Sequence, residues 1–260
     1  MLSVAIITFN EEANITRTLR SVAGIADEII IVDSGSTDRT LEFAREFGAK
    51  VKTYSEPWKG FAAQKNSAIE KCTGDFILSL DADEEVTPEL ASEILRELNE
   101  KPKVAYWIPR RNLFLGRWIR HGGFYPDAKI RLFRRGAGRF ADRPVHEDVQ
   151  LAAPHKAETM LRGDIVHHAY PTLANYIEHM NRYSTLGAEV AARKRRTSQN
   201  LFVFFFNVVV RPRLQFVYNY FFRRGFLDGR EGFLLHWYHQ TYASWKYAKA
   251  WELGRKRINY

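Results

Sequence analysis

The sequence predicts an α/β fold, a mostly parallel sheet flanked by helices, followed by a helical C-terminal region that is basic and aromatic. Three observations predict it. Short apolar runs alternate with longer helical patterns over the first hundred residues, which is the pattern of βαβ units. The run Phe76-Ile77-Leu78-Ser79-Leu80 ends abruptly in Asp81-Ala82-Asp83-Glu84-Glu85, as a buried parallel strand does on reaching the edge of its sheet. Charge is also unevenly divided. Residues 193–260 hold 14 Lys/Arg against 3 Asp/Glu and 18 of the 36 aromatics, whereas residues 1–192 hold 25 against 27.

Taken in order, residues 2–8 read as a buried strand and 11–23 as a helix carrying Ile15, Leu19 and Val22 on one face. Residues 28–32 form a second strand, stopped by Asp33-Ser34-Gly35-Ser36. Residues 38–47 are helical, with Gly48 just beyond as a C-cap. A short strand at 50–54, a helix at 61–71 and the strand 75–80 follow. Thr87 as N-cap and Pro88 at the first helical position open a helix over 88–98. After Pro102 the pattern changes: strands at 104–109 and 128–133 flank a loop rich in Gly, Arg and aromatics. A long helix is predicted over 172–196, and further helices near 201–222, 230–248 and 249–257. These divide the chain into a catalytic domain over 1–170 and a helical region over 171–260.

Composition narrows the function classes. The single Cys72 excludes an internal disulfide framework and a multi-cysteine zinc site. Met1-Leu2-Ser3-Val4-Ala5-Ile6-Ile7 lacks a basic leader and reads as a first strand. No apolar run reaches the roughly 18–20 residues that span a bilayer. The longest covers 201–210 and is expected to stop at Arg211-Pro212. The expected location is therefore cytoplasmic and peripheral, on the inner face of the cytoplasmic membrane. Arg193-Lys194-Arg195-Arg196 followed by Leu201-Phe202-Val203-Phe204-Phe205-Phe206 suits an anionic membrane surface, with an oligomer interface and a solvated basic helix as the alternatives. Oligomeric state is left open.

The chemistry-bearing residues lie at strand ends. The first strand delivers Thr8-Phe9-Asn10-Glu11-Glu12, the second Asp33-Ser34-Gly35-Ser36-Thr37-Asp38, and the fourth Asp81-Ala82-Asp83. In open α/β sheets ligands bind at this carboxyl edge. An isolated Asp-x-Asp is often no more than a loop start. Together with two further polar strand ends, Asp81 and Asp83 offer hard oxygen ligands to Mg²⁺ or Mn²⁺ carrying a phosphorylated substrate. Asp33 suits a ribose or a base, and Gly35 permits the tight turn. Neither Gly-x-Gly-x-x-Gly nor a phosphate-loop motif is present.

Thr8-Phe9-Asn10-Glu11, Asp33-Ser34-Gly35-Ser36-Thr37-Asp38, Gln64-Lys65-Asn66-Ser67-Ala68 and Asp81-Ala82-Asp83, in that order, resemble family 2 glycosyltransferases of the GT-A fold. The resemblance covers roughly residues 1–150. Tyr125-Pro126-Asp127, Arg131-Leu132-Phe133-Arg134, Pro144-Val145-His146-Glu147 and Gly225-Phe226-Leu227-Asp228-Gly229 resemble a narrower branch, which includes bacterial lipopolysaccharide core glucosyltransferases acting on heptose. The resemblance implies inverting transfer of a hexose from a nucleotide-diphosphate sugar, with uridine the family-level expectation. It implies Asp33 at the base, Thr8 and Glu11 lining its pocket, Asp83 on the metal, and Asp81 against the ribose or the metal. Lys65 stands where many relatives have Arg, so a bidentate contact becomes a point charge.

Inversion requires a base for the acceptor hydroxyl. The candidates are Glu147 and Asp148; the narrower branch shows His-Glu here and favours Glu147, while relatives outside it use the Asp of a Glu-Asp pair. Of the eight histidines, His167-His168 alone suits a metal's coordination sphere, and adjacent side chains diverge on a strand, so one of the two can serve. Trp118, Arg120, His121, Phe124 and Tyr125 combine sugar-stacking aromatics with anion-binding cations and suit an acceptor bearing phosphate or carboxylate. The expected acceptor is lipid-linked or a lipopolysaccharide core sugar, with a polyprenyl phosphate or another envelope glycan as the alternative. A nucleic-acid-binding protein is the competing class, suggested by the charge. Against it, no recognition motif is present, and three carboxylate clusters would repel phosphates.

Overall fold

The structure is a computed structural model that describes residues 1–100, 102–141, 148–157, 159–194 and 196–256. The first half runs β1 (Leu2–Thr8), α1 (Ile15–Val22), β2 (Glu28–Asp33), α2 (Thr40–Arg45), β3 (Val51–Ser55), α3 (Phe61–Glu70), β4 (Phe76–Asp81), β5 (Glu84–Val86) and α4 (Pro88–Asn99). Then come β6 (Ala105–Ile108), β7 (Arg110–Phe114), β8 (Arg117–Trp118), β9 (Lys129–Arg134), β10 (Gly138–Phe140), β11 (Val149–Leu151), β12 (Thr159–Met160) and β13 (Ile165–Tyr170). The helices α5 (Leu173–Arg193), α6 (Leu201–Phe205), α7 (Arg211–Val217) and α8 (Gly229–Lys256) complete the chain. Two compact units result: residues 1–111 with 127–167, and residues 112–126 with 168–260.

The first unit is built on a seven-stranded sheet in the order β12-β6-β9-β4-β1-β2-β3. β1, β2, β3 and β4 are parallel, whereas β9 runs antiparallel to β4 and β6. The register decides the function. Thr8 lies opposite Asp33, and Ile7 opposite Asp81, so all three strand ends reach one edge together. Both faces are covered. Ile15, Leu19 and Val22 of α1 are fully buried on one of them. Burial of each such side chain contributes about 1.5–3 kcal/mol.

α1 begins at Ile15, four residues later than the periodicity suggests. The shift accompanies contacts with another loop. Asn10 adopts a left-handed conformation (φ 55°), and the Glu11 and Glu12 amides donate to Thr40 Oγ1 (2.7 Å) and Asp38 Oδ2 (3.1 Å). These bonds tie Glu11 and Glu12 to the neighbouring loop, and the regular helix begins only after the turn at Asn10. α4 starts where the capping signal places it, with Thr87 accepting from the Leu90 amide at 3.2 Å.

The second unit is mainly helical, with the β7–β8 hairpin, where Leu113 pairs with Trp118, and the end of β13 as its described strand residues. Phe114, Ile119, Tyr176, Met180 and Leu235 form its core. Two expectations are corrected here. The two helices expected at 230–248 and 249–257 are replaced by one, α8, which runs unbroken over Gly229–Lys256 with no proline to interrupt it. The apolar segment also does not stop at Arg211-Pro212. α6, a π-helical stretch (Phe206–Val210), α7 and a second π-helical stretch (Tyr218–Phe222) form one continuous helix, Leu201–Phe222. Its 22 residues are long and apolar enough, by length and composition, to cross a membrane. Pro212 is tolerated because it falls within the first turn of α7, next to a stretch whose hydrogen bonding has already shifted.

Candidate active site

The site grows from two loops stitched together. The Asn10 amide donates to Ser36 Oγ (2.8 Å), and Asn10 Oδ1 accepts from the Thr37 amide (2.9 Å). Asp33, almost wholly buried, accepts from Thr8 Oγ1 (2.9 Å), the Gly35 and Ser36 amides (2.9 Å each) and the Ser36 hydroxyl. Four bonds fill the acceptor sites of a carboxylate. Asp33 therefore builds the turn beside β1. Gly35 sits there at φ 92°, a conformation that disfavours any side chain.

Beside this platform lies a ladder of buried charges. Lys65 Nζ is 2.6 Å from Asp81 Oδ1, and Arg131 Nη2 is 2.8 Å from Asp81 Oδ2. Arg131 also reaches Glu84 Oε1 at 2.7 Å, and Arg110 Nη1 meets the same oxygen at 3.0 Å. Arg110 closes on Asp127 through both Nε and Nη2. Signs alternate from Lys65 through Asp81, Arg131, Glu84 and Arg110 to Asp127, leaving no net charge. Burial alone would raise the Asp81 carboxyl, but Lys65 and Arg131 hold it well below the usual range. Arg131, desolvated but flanked by Glu84 and Asp81, is held more firmly protonated than a free guanidinium. Glu84 also accepts from the Asp81 amide (3.0 Å), so one wholly buried side chain shapes the Asp81–Asp83 turn and anchors two arginines.

Asp83 faces elsewhere. Antiparallel pairing of β13 with β5 sets His167 opposite Glu84 and brings His167 Nε2 to 3.3 Å from Asp83 Oδ2. His167 is thus the member of the adjacent pair that reaches the carboxylates. Burial raises the Asp83 carboxyl, and His167 more than offsets this, so the net shift is downward. Glu11 is crowded: burial, with Asp83, Asp38 and Asp81 nearby, pushes it up to about 7 against a hydrogen bond from Asn14. Among the described residues no three His, Cys, Asp or Glu side chains converge on a metal position. Asp83 and His167 are an oxygen and a nitrogen donor that fit Mn²⁺ or Mg²⁺ only if a diphosphate and water complete the sphere, as such ions commonly require.

The remaining expected residues divide. Asp148 pairs with Lys129 at 3.0 Å and is 46% exposed. Glu147 lies outside the described residues. Asn66 clamps β10, donating to the Phe140 carbonyl (3.0 Å) and accepting from the Phe140 amide (2.8 Å), which sets the Phe140 ring 5.1 Å from Lys65 Nζ. A cleft of about 540 Å³ opens at the opposite ends of the strands, lined by Met1, Leu2, Asp27 and Asp75. Its two carboxylates are taken by the Met1 amino group and the Leu2 amide, so it carries none of this chemistry.

Within the second unit, the loop bearing Trp118, Arg120, His121, Phe124 and Tyr125 is held by buried Asp228. That carboxylate accepts from the Arg120 amide (3.2 Å), the His121 amide (2.8 Å) and His121 Nδ1 (2.9 Å). Arg120 lies over the Trp118 ring at 4.6 Å, and Trp118 meets Tyr125 edge-on at 5.2 Å. Gly122 and Gly225 press on His236, with no room for a Cβ at either. Sequence reasoning missed the Glu84 and Arg131 pairing. Its signal was an arginine set among the apolar residues of β9, which requires a buried acid.

A model of the family described as Glycosyl transferase family 2 matches residues 3–176. The chain belongs to glycosyl transferase family 2. It is 32% identical over 243 residues to an uncharacterized glycosyltransferase of Rickettsia typhi, covering 90% of this chain and 80% of that one. It is 29% identical over 238 residues to the lipopolysaccharide core biosynthesis glycosyltransferase LpsC of Rhizobium meliloti, covering 90% and 85%. Among solved structures, a mannosyltransferase from Pyrobaculum calidifontis, in complex with GDP-Man and Mn²⁺, aligns with a TM-score of 0.55 at 17% identity, covering 96% of this chain and 85% of that one. This family 2 glycosyltransferase has the GT-A fold and is a transferase, which decides between the two classes weighed from the sequence.

Proposed function

We propose that the protein transfers glucose from UDP-glucose, with inversion, to a sugar of the lipopolysaccharide core at the inner face of the cytoplasmic membrane. The observation that carries this reading is the convergence of Thr8, Glu11, the Asp33 turn, Lys65, Asp81 and Asp83 at one sheet edge. The similarity to LpsC supports the core acceptor.

In this reading Thr8, Glu11 and the Asp33 turn line the nucleoside pocket, and Asp81 with its paired Lys65 stands toward the ribose and phosphates. Asp83 and His167 would hold a divalent cation, which would neutralise charge on the diphosphate leaving group. Glu147 takes the acceptor hydroxyl's proton as that oxygen bonds to the anomeric carbon. The bond from that carbon to the diphosphate breaks, and its electron pair leaves with the nucleotide. Asp148 is the alternative base; its pairing with Lys129 favours Glu147.

One observation favours a second acceptor, a polyprenyl phosphate. The continuous helix Leu201–Phe222 supplies the long apolar element that such an acceptor suits. Calorimetry with UDP, GDP and UDP-glucose, with and without Mn²⁺, on wild type and Asp83→Ala tests the donor site. Metal-dependent UDP binding in wild type, lost in the variant, is expected. Folded protein that binds no nucleotide would sink the reading.

A further inference from the structure

The helix Leu201–Phe222 departs from the rest of the molecule in what it exposes. Of the 22 large hydrophobic side chains exposed among the described residues, 14 fall between Leu201 and Trp237. Leu201 and Phe202 are 81% and 78% exposed at one end of the helix, and Phe222 is 74% exposed at the other. In the second half the exposed positions Leu214, Val217, Tyr218 and Phe221 recur at spacings of three and four, so they share a face. The surface continues past the helix through Phe226, Leu227, Phe233 and Trp237. A contiguous apolar area of this extent marks a partner surface rather than ordinary scatter.

The charge around it says which partner. Residues 193–230 hold nine Lys/Arg against the single Asp228. Asp228 is buried and spent on Arg120 and His121. None of the eight described cations forms an ion pair among the described residues. Arg213 instead bonds along its own helix to the Val209 carbonyl (3.0 Å), and Arg211 lies 5.4 Å from the Tyr247 ring. A second copy of the chain would bring one cationic surface against another. An anionic lipid surface matches both the charge and the greasy face.

The mode of seating follows from the other side of the helix. Phe216 packs edge-on against Phe233 (6.2 Å) and Trp237 (5.8 Å) of α8, and Phe204 meets Trp251 at 5.1 Å. The helix therefore lies along α8, whose polar positions include Glu231, Lys246, Lys249 and Glu252. Crossing the bilayer would carry that polar helix, and Arg211 and Arg213 near the midpoint, into hydrocarbon.

We infer that Leu201–Phe222 seats in the plane of an anionic membrane leaflet, exposed aromatics downward and its arginines at headgroup level, fixing the enzyme to the surface that holds its acceptor. This deepens the membrane-borne acceptor reading above and rests on it for its purpose. The test uses the full chain with vesicles of phosphatidylethanolamine and phosphatidylglycerol, against vesicles of phosphatidylcholine alone. Binding to the anionic vesicles is expected at least tenfold tighter and weakened by salt. The double variant Phe202→Asp with Phe222→Asp, at two exposed positions, is expected to lose at least tenfold of that binding while keeping donor binding. Single cysteines placed by Gln199→Cys and Arg223→Cys are both expected to react with an impermeant maleimide added outside the vesicles.

Three results would overturn the inference: no preference for anionic vesicles, protection of one cysteine as a spanning helix requires, or self-association in solution abolished by the double variant. Donor binding measured on the same preparations separates the two readings. If it persists while vesicle binding fails, only the membrane seat falls.

Discussion

The two units treat charge in opposite ways. In the sheet-bearing unit, the ladder from Lys65 to Asp127 matches each buried charge with its opposite at 2.5–3.0 Å. In the helical unit, an exposed apolar surface is accompanied by the eight described cations between Arg193 and Arg230, none of which forms an ion pair among the described residues. The first arrangement is electrostatically complete in the protein alone, so it can hold a donor site rigid before any donor arrives. The second is complete only against something anionic. On the reading proposed above, preorganisation and recruitment fall to different parts of one chain.

The comparison can be broken most forcefully at the catalytic step. If the sheet unit supplies the chemistry, Glu147→Gln lowers turnover by about 10² to 10⁴ with donor affinity unchanged, measured by steady-state kinetics and calorimetry. Full activity in that variant would pass the role to Asp148. The Phe202→Asp with Phe222→Asp variant should, by contrast, leave turnover on a detergent-solubilised acceptor within about twofold.

Next comes the ladder. Glu84→Gln removes the anion shared by Arg131 and Arg110 and leaves each guanidinium with one carboxylate, Asp81 or Asp127. Breaking a buried pair in this way costs about 3–5 kcal/mol, read as a lower midpoint in urea unfolding. A loss below about 1 kcal/mol would mean water reaches the ladder and that its closure is overstated.

A smaller effect belongs to Glu28, at the far end of β2. Burial would raise its carboxyl, but Ser3 Oγ (2.6 Å), the Thr73 amide and Lys52 (3.0 Å) hold it at about 2. The unfolded carboxyl titrates near 4.5, so the fold gains stability above that pH and loses it as pH falls from about 4.5 to about 2. Part of the gain is screened through half-exposed Lys52, leaving roughly 1–3 kcal/mol. Glu28→Gln should flatten the pH dependence of stability across that window, and an unchanged curve would refute the assignment. The smallest effect is Thr87→Ala, which removes the N-cap of α4 and should cost about 1 kcal/mol.

What the sequence disclosed follows from range. β1, β2 and β4 and their polar ends were legible because burial on both sheet faces writes continuous apolar runs, and the edge writes carboxylates after them. α4 was legible because its cap and proline are adjacent in sequence. The late start of α1 was not, because the groups that tie down Glu11 and Glu12, Thr40 and Asp38, sit 29 and 26 residues away on another loop. Arg211-Pro212 reads as the end of a ten-residue apolar run because a run is counted residue by residue, whereas the helix through it to Phe222 is apolar enough over its whole length. Glu84 looked like one more exposed strand-end acid. Only the antiparallel insertion of β9, which brings Arg131 beside it, shows that it is buried. The role expected of Glu147 depends on residues outside those described.

The ladder also bears on inheritance. Six residues from α3, β4, β5, β7, β9 and the segment after Pro126 each depend on the sign of the next. A single charge reversal at any rung sets like against like, and exchanging two adjacent rungs keeps that one pair but sets its members against their outer neighbours. Substitutions there should interact rather than add, because each rung is shared with the next. A lineage can therefore leave this arrangement only by changing several rungs together, while each exposed cation of the helical unit can be exchanged for another basic residue alone.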